Sequence, residues 1–291
     1  MPLLELMTSV LVNYAIEAPG LPTRSIQKTG GKILKILVVG DIVGRPGRRA
    51  LKNFLPAVQR EHDVDFTIAN AENAAGGRGL TRDVMEEILN LNIDVLTMGN
   101  HVWDNKDIYH FIDDEPRLIR PINYPGPCPG QGYHLFTGGI NRRIAVINAM
   151  GRTFLPPLDC PFQAVEAVLK EVADQADIII IDIHAEATSE KLGFGYYFDG
   201  RVTAVVGTHT HIQTADERIL PQGTAYITDL GMTGPADSIL GMDKQLVLQK
   251  LTSLRPVRLE VAGGPVQFQA IVLDVDDSTN KVLKIMRISR L

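Results

Sequence analysis

Cysteine is nearly absent from this chain of 291 residues: there are two, Cys128 and Cys160, each beside a proline and without CxxC spacing. That argues against a disulfide framework and against a thiolate metal site, and a reducing cytoplasm is the compartment expected. Long apolar runs are missing as well. No stretch approaches the roughly 18 uncharged residues of a membrane span, and the opening Met1-Pro2-Leu3-Leu4-Glu5 lacks the positive flank of a signal peptide. Positive charge is not in excess, since 29 Lys and Arg face 34 Asp and Glu for a net charge of −5. The chain therefore offers no electrostatic footprint for long nucleic acids, and a phosphate substrate has to be met by a local site. Internal repeats and low-complexity tracts are also lacking. What is present is 45% hydrophobic residues, enough to bury a full core.

Residues 1–31 stand apart, with Pro19, Pro22 and a Thr29-Gly30-Gly31 break ahead of the first strong strand. They are read as an N-terminal extension, a mobile arm or an upstream-start artefact in preference to an oligomer contact, and residues 32–291 as the working domain. From Ile33 onwards short β-rich runs alternate with helical patterns, as in parallel βαβ units. The first run, Ile33 to Val39, precedes a helix near 47–60 with Leu51, Phe54, Leu55 and Val58 on one face. Runs at Phe66 to Ala69 and Asp94 to Met98 precede helical stretches near 81–91 and 105–112. Tyr133–Thr137 and Arg143–Ala149 flank Gly138-Gly139 and predict an antiparallel hairpin. A helix near 161–175 leads to Asp177–Ile183, apolar almost throughout like a strand covered on both faces, and Val202–Val206 repeats the pattern. Further runs lie at 218–228, 256–262, 266–275 and 281–288, with a helix near 243–253. The fold class predicted is an α/β sandwich of two mixed β-sheets flanked by helices.

Where these strands end carries the chemistry. Ile36 to Gly40 ends in Asp41, Phe66 to Ala71 in Glu72-Asn73, and Val95 to Gly99 in Asn100-His101. Ile178 to Ile183 ends in His184, and Val205 to Thr208 in His209-Thr210-His211. Each run delivers oxygen or imidazole groups at its carboxyl end, the edge where open α/β sheets bind ligands, so the ends are predicted to converge. Carboxylate, amide and imidazole donors without thiolate suit Mn²⁺, Fe²⁺ or Zn²⁺. Seven candidates suffice for two ions sharing a carboxylate, and a pair roughly 3.5–4 Å apart can activate water and neutralise a phosphoryl group. Singly, Asp41 is an ordinary turn residue and Asn100 an ordinary loop cap; only together do the seven point to metal. His62, His110 and His134, in helical or hairpin contexts, are read as surface or packing residues.

The motifs Gly40-Asp41, Gly99-Asn100-His101, an isolated His184 and Gly207-Thr208-His209-Thr210-His211, in that order, resemble the signature of the calcineurin-like metallophosphoesterases. More narrowly, Gly40-Asp41-Ile42-Val43-Gly44, Ala71-Glu72-Asn73, Gly99 to Asp104 and His184 to Lys191 resemble the bacterial YmdB-type branch, over residues 33–291. The wider family's first motif, Asp-x-His, lacks its histidine here, and its bridging aspartate is replaced by Glu72-Asn73. The resemblance therefore implies that Glu72 bridges two metals, with Asp41, Asn73 and His211 completing one and Asn100, His184 and His209 the other. It implies Fe or Mn, with Zn as the alternative. It also gives His101 a catalytic rather than a ligating role, facing the phosphate to protonate the leaving oxygen or stabilise developing charge.

Asp104 either orients His101 or caps the helix that follows. The loop Gly76-Gly77-Arg78-Gly79 either wraps substrate phosphate with backbone amides and the Arg78 guanidinium or is a plain flexible loop. The expected activity is a phosphodiesterase on small cyclic nucleotides, 2′,3′-cyclic mononucleotides by resemblance, through attack of a metal-held hydroxide. Alternatives are a phosphomonoesterase or nuclease on the same metals, or a regulatory protein that binds nucleotide with little turnover. Neither a membrane nor a long nucleic acid is expected as a partner, and the resemblance points to a homo-oligomer.

Overall fold

The computed structural model describes residues 33–137 and 142–291; the N-terminal extension and the Gly138-Gly139 turn lie outside them. In chain order the first elements are β1 (Ile33–Val39), β2 (Asp41–Ile42), α1 (Gly44–Glu61), β3 (Phe66–Asn70), α2 (Arg82–Leu89), β4 (Val95–Thr97), a 3-10 helix at Lys106–His110 and β5 (Leu118–Ile119). Then come β6 (Tyr133–Thr137), β7 (Arg143–Met150), α3 (Pro161–Val172), β8 (Ile178–His184), α4 (Thr188–Tyr197) and β9 (Ala204–Thr208). The last are β10 (Arg218–Ile219), β11 (Ala225–Ile227), β12 (Met232–Pro235), α5 (Lys244–Ser253), β13 (Val266–Asp276) and β14 (Val282–Arg290).

Two mixed sheets result. One runs β2-β12-β13-β1-β3-β4-β5, with β14 also on β13, and the other β10-β11-β9-β8-β7-β6. The side-chain period of two decides which core each residue joins. On β1, Leu34, Ile36 and Val38 meet Ile178 and Ile180 of β8 in a core between the sheets, while Leu37 and Val39 turn outward onto Leu51 and Leu55 of α1. On β8, Ile179, Ile181 and Ile183 turn outward onto Val165 of α3 and Phe194 of α4. Strands covered on both faces have no polar face to show, which is why both read as nearly continuous apolar runs, interrupted only by Lys35 in β1 and Asp182 in β8. No helix among the described residues is long and apolar enough to cross a membrane.

The structure departs from the sequence reading in four places. The run at 256–262 forms no strand: only Val261 makes an isolated bridge, to Met242, while Arg258 and Glu260 face solvent with no neighbouring strand to pair. The run at 218–228 breaks into β10 and β11 around a turn. Helix α4 goes unread because Gly193 and Gly195 dilute its helical signal. Gly195 is required there, since a Cβ would collide with the Tyr226 ring. The stretch at 105–112 is only a 3-10 turn, capped by Asn105, whose side chain accepts from the Asp107 amide. The predicted hairpin strands do pair, with Tyr133 opposite Ile147.

Candidate metal centre

The carboxyl ends of β1, β3, β4, β8 and β9 meet at one edge between the sheets. Asp41, Glu72, Asn73, His184 and His211 are buried there, and Asn100, His101 and His209 are half-buried. Such an approach needs Gly99: a Cβ at that position would strike the His184 ring and the Glu72 carboxylate.

Two chains of contact meet at Glu72, and Asp41 touches both, its Oδ1 lying 4.0 Å from His184 Nδ1 and its Oδ2 accepting from the His209 backbone at 3.2 Å. In one, His184 Nε2 lies 3.0 Å from Asn100 Oδ1, 3.0 Å from His209 Nδ1 and 3.2 Å from Glu72 Oε1. In the other, His211 Nε2 lies 3.2 Å from the Asn73 amide nitrogen and 3.9 Å from Asp41 Oδ1, and the Asn73 amide donates to Glu72 Oε1 at 3.0 Å. Ligation by Asn73 would require its amide to turn over, because amides bind cations through oxygen. Glu72, His184 and His209 can bring one ligand atom each within 4.8 Å of one another.

All three histidines are held from outside the cluster. Thr208 Oγ1 donates to Asp182 Oδ1 at 2.7 Å and accepts from His184 Nδ1 at 2.9 Å. His209 Nε2 donates to the Glu186 carboxylate at 3.0 Å, and His211 Nδ1 donates to the Leu240 carbonyl at 3.0 Å. In each ring the other nitrogen faces the centre, and such outside partners are how proteins orient a metal-binding imidazole and fix the nitrogen it offers once deprotonated.

The electrostatics fit the same group. Burial pushes the Asp41 carboxyl up to about 7 against the pull of His211 and His184, with Asp229 and Glu72 adding repulsion. Its Oδ1 is buried without a hydrogen-bond partner, an uncompensated cost that a cation would remove. Burial works against the Glu72 carboxylate too, but the adjacent His184 outweighs it and brings Glu72 down to about 2. Burial opposes the His184 imidazolium, yet Glu72 and Asp41 raise it to about 9, while burial and then His184 pull His209 down to about 3. A proton on His184 thus stands where the donors call for positive charge. Orphaned oxygen, converging ring nitrogens and an oxygen-nitrogen donor set all suit divalent metal.

Around the cluster lies a set of buried residues that spacing alone did not reveal. Asp182 accepts from Thr97 and Thr208 and lies 3.4 Å from the Asn70 amide; burial raises its pKa despite these partners. Asp229 accepts from the backbone and hydroxyl of Thr210 at 3.0 and 2.7 Å, from Gly231 N at 2.8 Å and from the buried Lys191 ammonium at 2.7 Å. It pins the short loop in which His209 and His211 take φ values of 100° and 64°, a region costly for residues with a Cβ. A charged residue inside an apolar stretch, as Asp182 is within β8, was the one signal available for this set.

His101 sits at the edge. Its backbone N–H donates to Glu72 Oε2 at 3.1 Å, while its Nδ1 donates to Asp104 Oδ2 at 2.9 Å. With Asn105 acting as the cap, the Asp104 carboxylate is bonded to the imidazole instead. Arg78 is exposed and lines a neighbouring cavity rather than touching the cluster. His62 lies at the end of α1, His110 is exposed on the 3-10 turn, and the His134 ring packs edge-on against Phe136 at 4.7 Å.

A model of YmdB-like proteins matches residues 37–288. The chain belongs to the YmdB-like family. It is 51% identical over 255 residues to the 2′,3′-cyclic-nucleotide 2′-phosphodiesterase of Bacillus subtilis (strain 168), covering 88% of this chain and 96% of that one. Among solved structures, a phosphatase from Mycoplasma pneumoniae aligns with a TM-score of 0.84 at 33% identity, over 89% of this chain and 94% of that one. A hypothetical protein from Thermus thermophilus aligns with a TM-score of 0.83 at 38% identity, over 88% of this chain and 99% of that one. The fold is that of the calcineurin-like phosphoesterases, two mixed sheets with flanking helices.

Proposed function

We propose that this chain is a two-metal phosphodiesterase that opens 2′,3′-cyclic mononucleotides. The observation that carries the reading is the outward tethering of His184, His209 and His211, which turns one ring nitrogen of each towards the buried Glu72 and the orphaned Asp41 Oδ1. In this reading Asp41, Asn73 and His211 would hold one ion, Asn100, His184 and His209 the other, and Glu72 would serve both. Such a pair supplies a water of pKa near 7 rather than about 15.7 and neutralises charge on the phosphoryl oxygens. The donor set suits Fe, Mn or Zn.

The 51% identity to the 2′,3′-cyclic-nucleotide 2′-phosphodiesterase of Bacillus supports this substrate class. Water adds to phosphorus, the P–O2′ bond breaks, and the freed O2′ takes up a proton to leave a 3′-phosphate. His101 stands beside Glu72 with Nδ1 committed to Asp104, so Nε2 is the atom available to the leaving oxygen. The two cysteines are free, in keeping with a reducing compartment.

The test is wild type against Glu72→Gln, with metal content by elemental analysis and hydrolysis of 2′,3′-cAMP, 3′,5′-cAMP and p-nitrophenyl phosphate. Two equivalents of metal and turnover of the 2′,3′ diester, both lost in a folded variant, are expected. A fully active Glu72→Gln variant would sink the bridging role, and metal without diester turnover would favour a binding protein.

A further inference from the structure

The chain's negative balance hides a local reversal. Next to the cluster lie two adjoining cavities of about 380 and 690 Å³ that share Gly76, Arg258 and Leu259. Arg45, Arg49, Arg78, Lys250 and Arg258 line them, all exposed, against one carboxylate, Glu260. The Arg49 guanidinium donates to the Gly264 carbonyl, whereas the side chains of Arg45, Arg78, Lys250 and Arg258 have no ion-pair or hydrogen-bond partner among the described residues. Five cations gathered with so little counter-charge repel one another and concentrate anions at this surface.

Both walls of the groove are tied to the metal cluster. Gly76 follows Asn73 by three residues, at most about 11 Å of extended chain. On the other side, the Leu240 carbonyl holds His211 at 3.0 Å, and two residues on Met242 lines the first cavity. Gly77, at a φ of 96°, lies so close to Val261 that a Cβ would strike it, so the floor of the groove is packed rather than loose. A phosphate chain leaving the metal site would enter this groove within one or two nucleotide lengths.

We propose that the groove holds the phosphates lying 5′ to the scissile one, so that the substrate is an oligoribonucleotide ending in a 2′,3′-cyclic phosphate. This rests on the reading of the metal site as a 2′,3′-cyclic phosphodiesterase. The reaction is unchanged: water adds to the terminal phosphorus, P–O2′ breaks, O2′ is protonated, and the 5′ linkages stay intact. The net charge of −5 is a property of the whole chain, whereas a groove for two or three phosphates needs only a local surplus of cations.

The experiment has two arms. In the first, binding of a 5′-labelled hexaribonucleotide 3′-phosphate to the metal-loaded wild type is followed by anisotropy between 50 and 200 mM salt, and compared with an Arg258→Ala/Lys250→Ala double variant. Three phosphate contacts give roughly a 20-fold loss of affinity over that range, and one contact only about threefold; the double variant should fall from the first value towards the second. In the second, kcat/KM for a hexaribonucleotide 2′,3′-cyclic phosphate is divided by that for 2′,3′-cAMP. A ratio of about ten or more at 50 mM salt, collapsing towards one in the double variant, is expected.

Turnover of 2′,3′-cAMP with a ratio near one in wild type, or a ratio untouched by the double variant, would overturn the groove while leaving the phosphodiesterase reading intact. Salt-sensitive, variant-sensitive binding with no hydrolysis of either compound would sustain the groove and remove the phosphodiesterase reading. Competition by inorganic tripolyphosphate as effective as the oligonucleotide would overturn the RNA assignment.

Discussion

On the floor of the site most candidate ligands are buried, and each histidine is fixed by a further group of the protein. At the rim the side chains are exposed and held by one neighbour or by none. His184 is bound through Thr208 to Asp182, and the loop of His209 and His211 hangs from Asp229, itself paired with Lys191. Opposite them, Asp104 holds His101 by a single bond across a partly exposed edge, and Arg78 and Arg258 contact no acid among the described residues. The floor fixes donor geometry before any ligand arrives, at the cost of desolvating several charges. The rim keeps its charges wet and movable, which suits contact with a substrate that enters and leaves.

The largest expected effect comes from breaking the floor where nothing ligates. Asp229→Ala leaves the Lys191 ammonium buried and unpaired, which costs about 3–5 kcal/mol of stability, a fall in Tm on the order of 10 °C. Differential scanning calorimetry reads this directly. Adding Lys191→Met in the same chain removes the stranded charge and should restore most of the Tm, yet metal content should stay low because Thr210 and Gly231 no longer have their acceptor. If the single variant melts like wild type and keeps its metal, the floor is not organised through Asp229.

The sequence made one half of this contrast far easier to read than the other. Ligand positions were legible because a strand buried on both faces has no reason to end in Asp, Glu-Asn, Asn-His or His unless something at its end uses them. The sandwich was legible for a related reason: runs such as Ile33–Val39 and Ile178–Ile183 are apolar at both parities. The supporting groups were hidden because their partners are distant in sequence. Asp182 meets Thr97 across 85 residues, and Lys191 meets Asp229 across 38. The helix carrying Lys191 was itself obscured by two glycines, one of which packs on Tyr226. The basic groove escaped for the same reason, since Arg45, Arg78 and Arg258 come together only in the fold. The run at 256–262 is rich in β-forming residues, but composition cannot supply a neighbour to pair with.

His101 is where floor and rim join, and replacing it should separate them. Its backbone amide, which serves Glu72, survives in His101→Ala, so two equivalents of metal should remain bound. Loss of the imidazole should lower kcat on 2′,3′-cAMP by roughly 10²–10⁴-fold, with KM little changed. A variant that loses metal along with rate would place His101 among the floor residues instead.

The smallest effect belongs to the rim alone. Asp104→Ala removes the acceptor for His101 Nδ1 while leaving Asn105 to cap the turn that follows, so neither the fold nor the metal should notice. The imidazole then loses the bond that fixes its tautomer and its angle, and partners of this kind are worth about 10- to 100-fold in activity. The lower end is expected here because the pair is partly exposed and water can replace the carboxylate. The decisive comparison is Asp104→Ala made in the His101→Ala background. If Asp104 acts only through His101, adding the second substitution should change kcat by less than about twofold, since effects of residues acting as a unit do not add. A further tenfold fall in the double variant would mean that Asp104 meets the substrate or its water directly.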